Sequence, residues 1–197
     1  YGLETYSLQQ DADLEGAPVH DLGDLDLPFG GPEIPLSIIR ETTEEVVSDG
    51  KIPVMVGGEH LVTLGAVEAL TRRYPDLHIL HFDAHTDLRE DYVGQRLSHA
   101  TVLRRCHDML GDGRIFQLGI RSGLKEEFLF GREGHVWQHL FDLAELRTAI
   151  DLLRGLPVYV TIDLDVLDPS VFPGTGTPEP GGVSFQALAQ SIALLRG

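Results

Sequence analysis

Apolar runs of strand length recur along this chain with helix-period stretches between them, and this alternation limits the possible folds more than any other feature. Residues 52–56 (Ile-Pro-Val-Met-Val), 77–82 (Leu-His-Ile-Leu-His-Phe), 114–120 and 157–162 read as short strands, with 19–22 a weaker member of the set. Continuous apolar strands of this kind are buried on both faces, as strands of a parallel sheet are. Residues 32–49 carry Leu36, Ile39, Val46 and Val47 at helical spacing and end at Gly50. Helical patterns also cover 61–74, about 99–110, 141–154 and 184–195, the last with Ser184 as its N-cap. The alternation predicts βαβ units and an α/β fold: a three-layer α/β/α sandwich with a mainly parallel sheet. Two segments, 88–97 and 168–182, are loops by composition, and both follow acidic clusters at strand ends. In open α/β sheets, sites form in the loops at the carboxyl ends of strands.

The 197 residues suit one domain with a full hydrophobic core. The net charge of −16 argues against a nucleic-acid partner, because phosphates would be repelled. The same field attracts a small cationic substrate, although most of these carboxylates serve solubility. No stretch approaches the ~18 apolar residues of a membrane span, so no membrane partner is expected. Cys106 is alone and forms no internal disulfide, which fits a cytoplasmic location; we read it as a buried structural thiol. The start, Tyr1-Gly2-Leu3-Glu4, has no basic region followed by an apolar stretch and does not begin with Met, so trimming or an incomplete chain is expected.

The chemistry concentrates in three places. Asp83-Ala84-His85-Thr86-Asp87 directly follows the run ending at Phe82. In extended backbone, positions two apart point the same way, so Asp83, His85 and Asp87 converge. Two carboxylates and an imidazole form a mixed O/N set suited to a divalent transition metal. A lone Asp-x-His is more often a polar loop; three ligand-type residues in alternation favour a metal. Asp163-Leu164-Asp165 repeats the pattern after residues 157–162, with Leu164 expected in the core. Two carboxylates on one face repel unless one is protonated or a cation lies between them. Gly57-Gly58-Glu59-His60 places His60 at the end of the run 52–56 and the start of a helix. His60 is weak evidence alone, and Glu59 is a cap or a supporting partner. The Gly-Gly turn lacks the lysine and glycine spacing of a phosphate loop.

Together these supply two His and four Asp, too many for one structural zinc and of the wrong type. They suit a pair of hard divalent ions about 3.5–4 Å apart, which lowers the pKa of a shared water. Asp168 opens a Gly/Pro/Thr-rich loop and is read as structural. His78 and His81 read as packing residues, with a contact from His81 to Asp83 the less favoured option. His20, His107, His135 and His139 read as surface or satisfied structural residues, Arg104-Arg105 as a solvated helix face, and Trp137 as core or interface.

Gly-Gly-Glu-His at 57–60, Asp-Ala-His-Thr-Asp at 83–87 and the stretch 163–182 resemble the three signature motifs of the ureohydrolase family, which includes arginase, agmatinase and formimidoylglutamase. Pro173-Gly174-Thr175-Gly176-Thr177-Pro178-Glu179-Pro180-Gly181-Gly182 resembles the agmatinase branch most closely, as do Asp87-Leu88-Arg89-Glu90 and Leu97-Ser98-His99-Ala100-Thr101. The likeness spans essentially the whole chain. It implies two Mn²⁺ ions, one held by His60 and Asp87, the other by His85 and Asp165, with Asp83 and Asp163 bridging. It implies a proton-transfer role for His99, which otherwise reads as a helix N-terminal residue beside the cap Ser98. It implies the arginase/deacetylase-like sandwich around a mainly parallel eight-stranded sheet, and a homo-oligomer, trimeric or hexameric. The implied reaction is hydrolysis of a guanidino C–N bond to release urea, with agmatine giving putrescine the favoured case. Alternatives are a guanidinobutyrase, formimidoylglutamase or arginase activity, or a metal-binding but inactive subunit. The family carries a further strand beyond the segment that ends here, with a Glu that holds the guanidinium. Residues 1–197 are therefore expected to be a single catalytic domain truncated at both ends and lacking that strand. Glu179 is the alternative acid for the guanidinium.

Overall fold

The computed structural model describes residues 4–196. The expectations placed on Tyr1-Gly2-Leu3 and on the stop at Gly197 lie outside the described residues. A small antiparallel hairpin, β1 (Tyr6–Ser7) with β2 (Ala12–Asp13), stands apart from the main sheet. Then follow α1 (Glu33–Ser48), α2 (Val62–Arg73), β3 (His78–Phe82), α3 (Val102–Leu110), β4 (Ile115–Ile120), α4 (Lys125–Arg132), β5 (Trp137–Leu140), α5 (Leu146–Leu153), β6 (Val158–Ile162) and α6 (Phe185–Leu194). Short 3₁₀ turns occupy His99–Thr101 and Leu164–Val166.

The sheet runs β5-β4-β3-β6, and every pairing in it is parallel. Period-two alternation divides its side chains between two cores. Ile79 and Ile115 pack on one face with Leu36, Leu64, Val67, Leu103 and Cys106 from α1, α2 and α3. Leu80, Phe82, Phe116 and Leu118 pack on the other with Leu146, Ala149 and Leu188 from α5 and α6. Helices therefore cover both faces, which is the three-layer sandwich expected from the alternation. Burying apolar surface stabilises by roughly 25 cal/mol per Å², and the two central strands, β3 and β4, are buried at every position. From β3 the chain steps outward to β4 and β5, then returns to β6 on the other side. The order thus reverses between β3 and β6, the place where an α/β sheet opens a crevice at its carboxyl edge.

The structure departs from the sequence reading in five ways. Residues 52–56 are not a strand: Ile52, Val54 and Val56 are 88, 86 and 94% exposed, with no neighbouring strand to pair with among the described residues. Residues 19–22 form no strand either. The described sheet has four strands rather than eight. Both α4 and β5 were unanticipated, and α5 begins only at Leu146 because Phe141 takes a left-handed φ of 71° and Asp142 caps the turn after it through the Ala144 N–H. Ser184 does cap α6, accepting the Ala187 N–H at 3.2 Å.

Candidate metal centre

The six candidate ligands come from three chain segments that the β3–β6 pairing brings together. Asp83 N–H donates to Leu118 O, and Asp163 N–H donates to Phe82 O, so both acids sit one residue beyond the strand ends. His60 precedes α2, whose Thr63 hydroxyl lies 3.2 Å from Thr161 Oγ1 on β6. The imidazole of His60 is 3.0 Å from Asp87 Oδ2, 3.1 Å from Asp83 Oδ2 and 3.6 Å from Asp163 Oδ2, all measured from Nδ1. His85 Nδ1 lies 2.8 Å from Asp165 Oδ2 and 3.4 Å from Asp83 Oδ1. Asp83 therefore faces both imidazoles, with His60 and Asp87 on one side and His85 and Asp165 on the other.

The convergence is achieved differently from the expected strand alternation. Asp87 has φ 53°, so the chain turns back there instead of continuing extended. Asp163 and Asp165 do not share a strand face: a 3₁₀ turn begins at Leu164, and the Asp165 N–H donates to Asp163 Oδ1 at 3.0 Å. That turn leaves Leu164 exposed, against expectation, and buries Val166 in its place.

A cation fits this set. His60 Nδ1 is buried and has no hydrogen-bond partner, although three carboxylate oxygens surround it, while Nε2 contacts Thr161 Oγ1 at 3.1 Å. With Nε2–H donating to that hydroxyl, the Nδ1 lone pair is free for a metal. Buried polar atoms without partners are rare and call for such an explanation. Electrostatics agree. Burial and the charge of Asp83 raise the Asp87 pKa. Burial, opposed by the His85 contact and reinforced by Asp83 and Asp163, raises Asp165 to about 6. Burial disfavours the charged form of His85, but Asp165 and Asp83 outweigh it and raise its pKa to about 10. So many buried carboxylates need positive charge between them, from protons or from metal.

Several supporting residues escaped the sequence reading. His81, fully buried, is not mere packing: its Nε2 is 2.8 Å from Asp83 Oδ2. Gln117 on β4 stands 3.0 Å from His81 Nδ1, donates to Thr86 O at 2.7 Å, and accepts from Gln138 at 2.8 Å. Glu127 of α4, also buried, accepts from the Thr86 hydroxyl at 2.6 Å and from the Leu88 and Leu124 N–H groups. The Arg121 guanidinium gathers backbone carbonyls from the 3₁₀ turn after β6 and from the loop that follows it, including Asp165 O at 2.7 Å and Glu179 O at 2.8 Å. His81 had a sequence signal, its two-residue spacing from Asp83, and packing was nonetheless the favoured reading; for Gln117, Glu127 and Arg121 the signal was only their polarity within or beside apolar elements.

The remaining candidates sit as follows. Glu59 accepts the Leu61 N–H at 2.9 Å and lies 3.6 Å from His99 Nδ1, which brings His99 to the His60 side of the cluster. Asp168 is structural as expected, with its Oδ2 accepting from the Gly181 and Gly182 N–H groups. Gly182 is required there, because a Cβ would lie 2.5 Å from Asp168 N. Glu179 accepts the Ser122 hydroxyl at 2.8 Å and stands 3.8 Å from His85 Nε2. Arg105 is buried rather than solvated, paired with Glu90 and Asp108. Cys106 is buried, and burial pushes its thiol pKa up.

Fold and cluster together define a parallel-sheet α/β protein with a carboxylate- and imidazole-rich centre at the sheet's switch point. The arginase family model matches residues 1–197, and the chain belongs to that family. It is 46% identical over 192 residues to an agmatinase of Bacillus subtilis, covering 97% of this chain and 66% of that relative. A solved chain from Clostridium difficile superposes with a TM-score of 0.96 at 49% identity, covering 99% of this chain and 71% of that one. The agmatine ureohydrolase of Thermoplasma volcanium superposes with a TM-score of 0.84 at 37% identity, covering 96% of this chain and 65% of that one. The chain thus spans about two thirds of the length of the relatives it matches.

Proposed function

We propose that residues 1–197 form the metal-binding part of a binuclear hydrolase that cleaves a guanidino C–N bond to release urea, with agmatine, giving putrescine, as the favoured substrate. The observation that carries this reading is the partnerless, buried Nδ1 of His60 among three carboxylates, beside the His85–Asp165–Asp83 group. The names of the Bacillus subtilis and Thermoplasma volcanium relatives support the substrate class. His60 and Asp87 would hold one ion, His85 and Asp165 the other, and Asp83 and Asp163 both. The oxygen-rich set suits Mn²⁺ better than Zn²⁺ on hardness. Two such ions would supply a water acidic enough to act as nucleophile near neutral pH and the charge that steadies the transition state.

The protein's own groups do the rest. His99 would give a proton to the departing amine; its neighbour Glu59, next to His60 in sequence, supports that role. Glu179, held by Ser122 and 3.8 Å from His85, would be the alternative acid for the cationic end of the substrate, beside the Glu expected on the further strand. The net charge of −16 attracts cations toward the site. A homo-oligomer in the cytoplasm completes the reading. Among the described residues no helix is long and apolar enough to cross a membrane.

The test is urea release by the manganese-loaded full-length protein from agmatine, guanidinobutyrate, arginine and formiminoglutamate. Highest kcat/KM on agmatine is expected. No urea from any of them would overturn the hydrolase reading, and preference for another member would overturn the substrate.

A further inference from the structure

We propose a second metal site on the opposite end of the sheet, formed by His107, Asp112 and His135 and suited to a borderline divalent ion such as Zn²⁺. His107 lies in the last turn of α3, Asp112 in the turn that leads to β4, and His135 just before β5. All three precede the amino ends of β4 and β5, whereas the centre described above follows the carboxyl ends of its strands. A six-residue strand separates the two ends by roughly 20 Å, so the sites share no ligand.

Asp112 Oδ1 is 2.8 Å from His107 Nε2 and 2.8 Å from His135 Nδ1. Donor atoms bound tetrahedrally to one ion at about 2.1 Å stand about 3.4 Å apart, and these three donor atoms already lie within 4.8 Å of one another, so small adjustments admit a metal. The two imidazoles are already held in place. The Phe130 ring stacks on His135 at 4.3 Å between centroids and meets His107 edge-on at 4.8 Å. The Gly113 N–H donates to His135 O at 3.0 Å, tying the Asp112 turn to the His135 segment. Such prior ordering reduces the entropy lost on binding. Asp112 is exposed, which leaves room for water on the outer side of the ion. Two imidazoles and one carboxylate favour zinc, nickel or copper over manganese, so this site and the oxygen-rich centre select different ions.

The alternative is that Asp112 merely hydrogen-bonds two imidazoles. Dialysis of the manganese-loaded full-length protein against Zn²⁺, followed by elemental analysis, distinguishes the two. His135→Gln and Asp112→Asn should each retain one zinc equivalent fewer than the parent, with the helical circular dichroism unchanged. The His107 and His135 ring signals in nuclear magnetic resonance should shift together on adding Zn²⁺ to the parent. Equal zinc content in parent and both variants, or ring signals that ignore zinc, would overturn the site. If one variant loses its fold, the other variant and the ring signals of the parent still decide.

Discussion

Both ring nitrogens of His60 are enclosed, and only one has a partner. The same economy holds for Asp83, whose position is fixed from behind by a relay running Gln138, Gln117, His81. Supports of this kind orient a ligand and are worth about 10–100-fold in metal affinity. Gln117→Leu should therefore weaken manganese binding by about that factor while the protein stays folded, as read by calorimetric titration. Unchanged affinity would mean that the relay serves the fold alone. His99 differs in kind. Its side chain is half exposed, near Glu59 and edge-on to Tyr92 at 5.3 Å, outside the ligand set. His99→Ala in the full-length enzyme should keep both metals and lose turnover by ~10²–10⁴-fold; undiminished turnover would leave it a helix-start residue. The six acids and imidazoles were legible in the sequence because their motifs are short and local. Gln117 and Glu127 were not, since the partners through which they reach the site, His81, Thr86 and Leu88, lie 31 to 41 positions away and only the folded sheet joins them.

Strands β3 and β4 were legible as apolar runs because each is buried among neighbours, and β6 because its residues are apolar, although it lies half-buried at the edge of the described sheet. β5 was not, because Trp137-Gln138-His139-Leu140 is a half-exposed edge strand with no continuous apolar signal. Residues 52–56 had the composition of a strand, but composition cannot supply the neighbouring backbone that a strand must bond to. The loop 168–182 takes its shape from Asp168, whose carboxylate accepts from the Ser170 hydroxyl and from the Ser170, Gly181 and Gly182 N–H groups. Those bonds, the Ser170 hydroxyl foremost, depress its pKa from 3.8 to about 2. A carboxylate depressed on folding stabilises above its unfolded value and loses that contribution as pH falls through the folded one. The gap in melting temperature between the parent and Asp168→Asn should thus be full at neutral pH and close between about pH 4 and about pH 2. A gap that persists at the acid end would exclude the carboxylate's charge as its source.

For the molecule as a whole, the centre is a concentration of like charge that the fold tolerates when a cation sits in it. Anything that binds only the folded state stabilises it, by about 2.7 kcal/mol at a hundred times its Kd. For a chain of this size, each kcal/mol moves the melting temperature by about 2–4 °C. Stripping the protein with a chelator should lower its melting point by roughly 5–10 °C, and manganese should restore it. Identical melting curves before and after stripping would mean that no cation is held in the folded state.

The pairing of β3 with β6 has one more consequence, which concerns time. His60 contacts Thr161 across 101 positions of sequence, and His78 pairs with Val158 only after the intervening chain has been looped out. Local helices such as α1 and α2 can form and meet early, whereas this closure waits on slow, non-local contacts. No short piece of the chain holds both halves of the ligand set. In the proposed centre the capacity to capture an ion would arise only once β3 and β6 have paired, and metal uptake during refolding would report the moment the sheet closes.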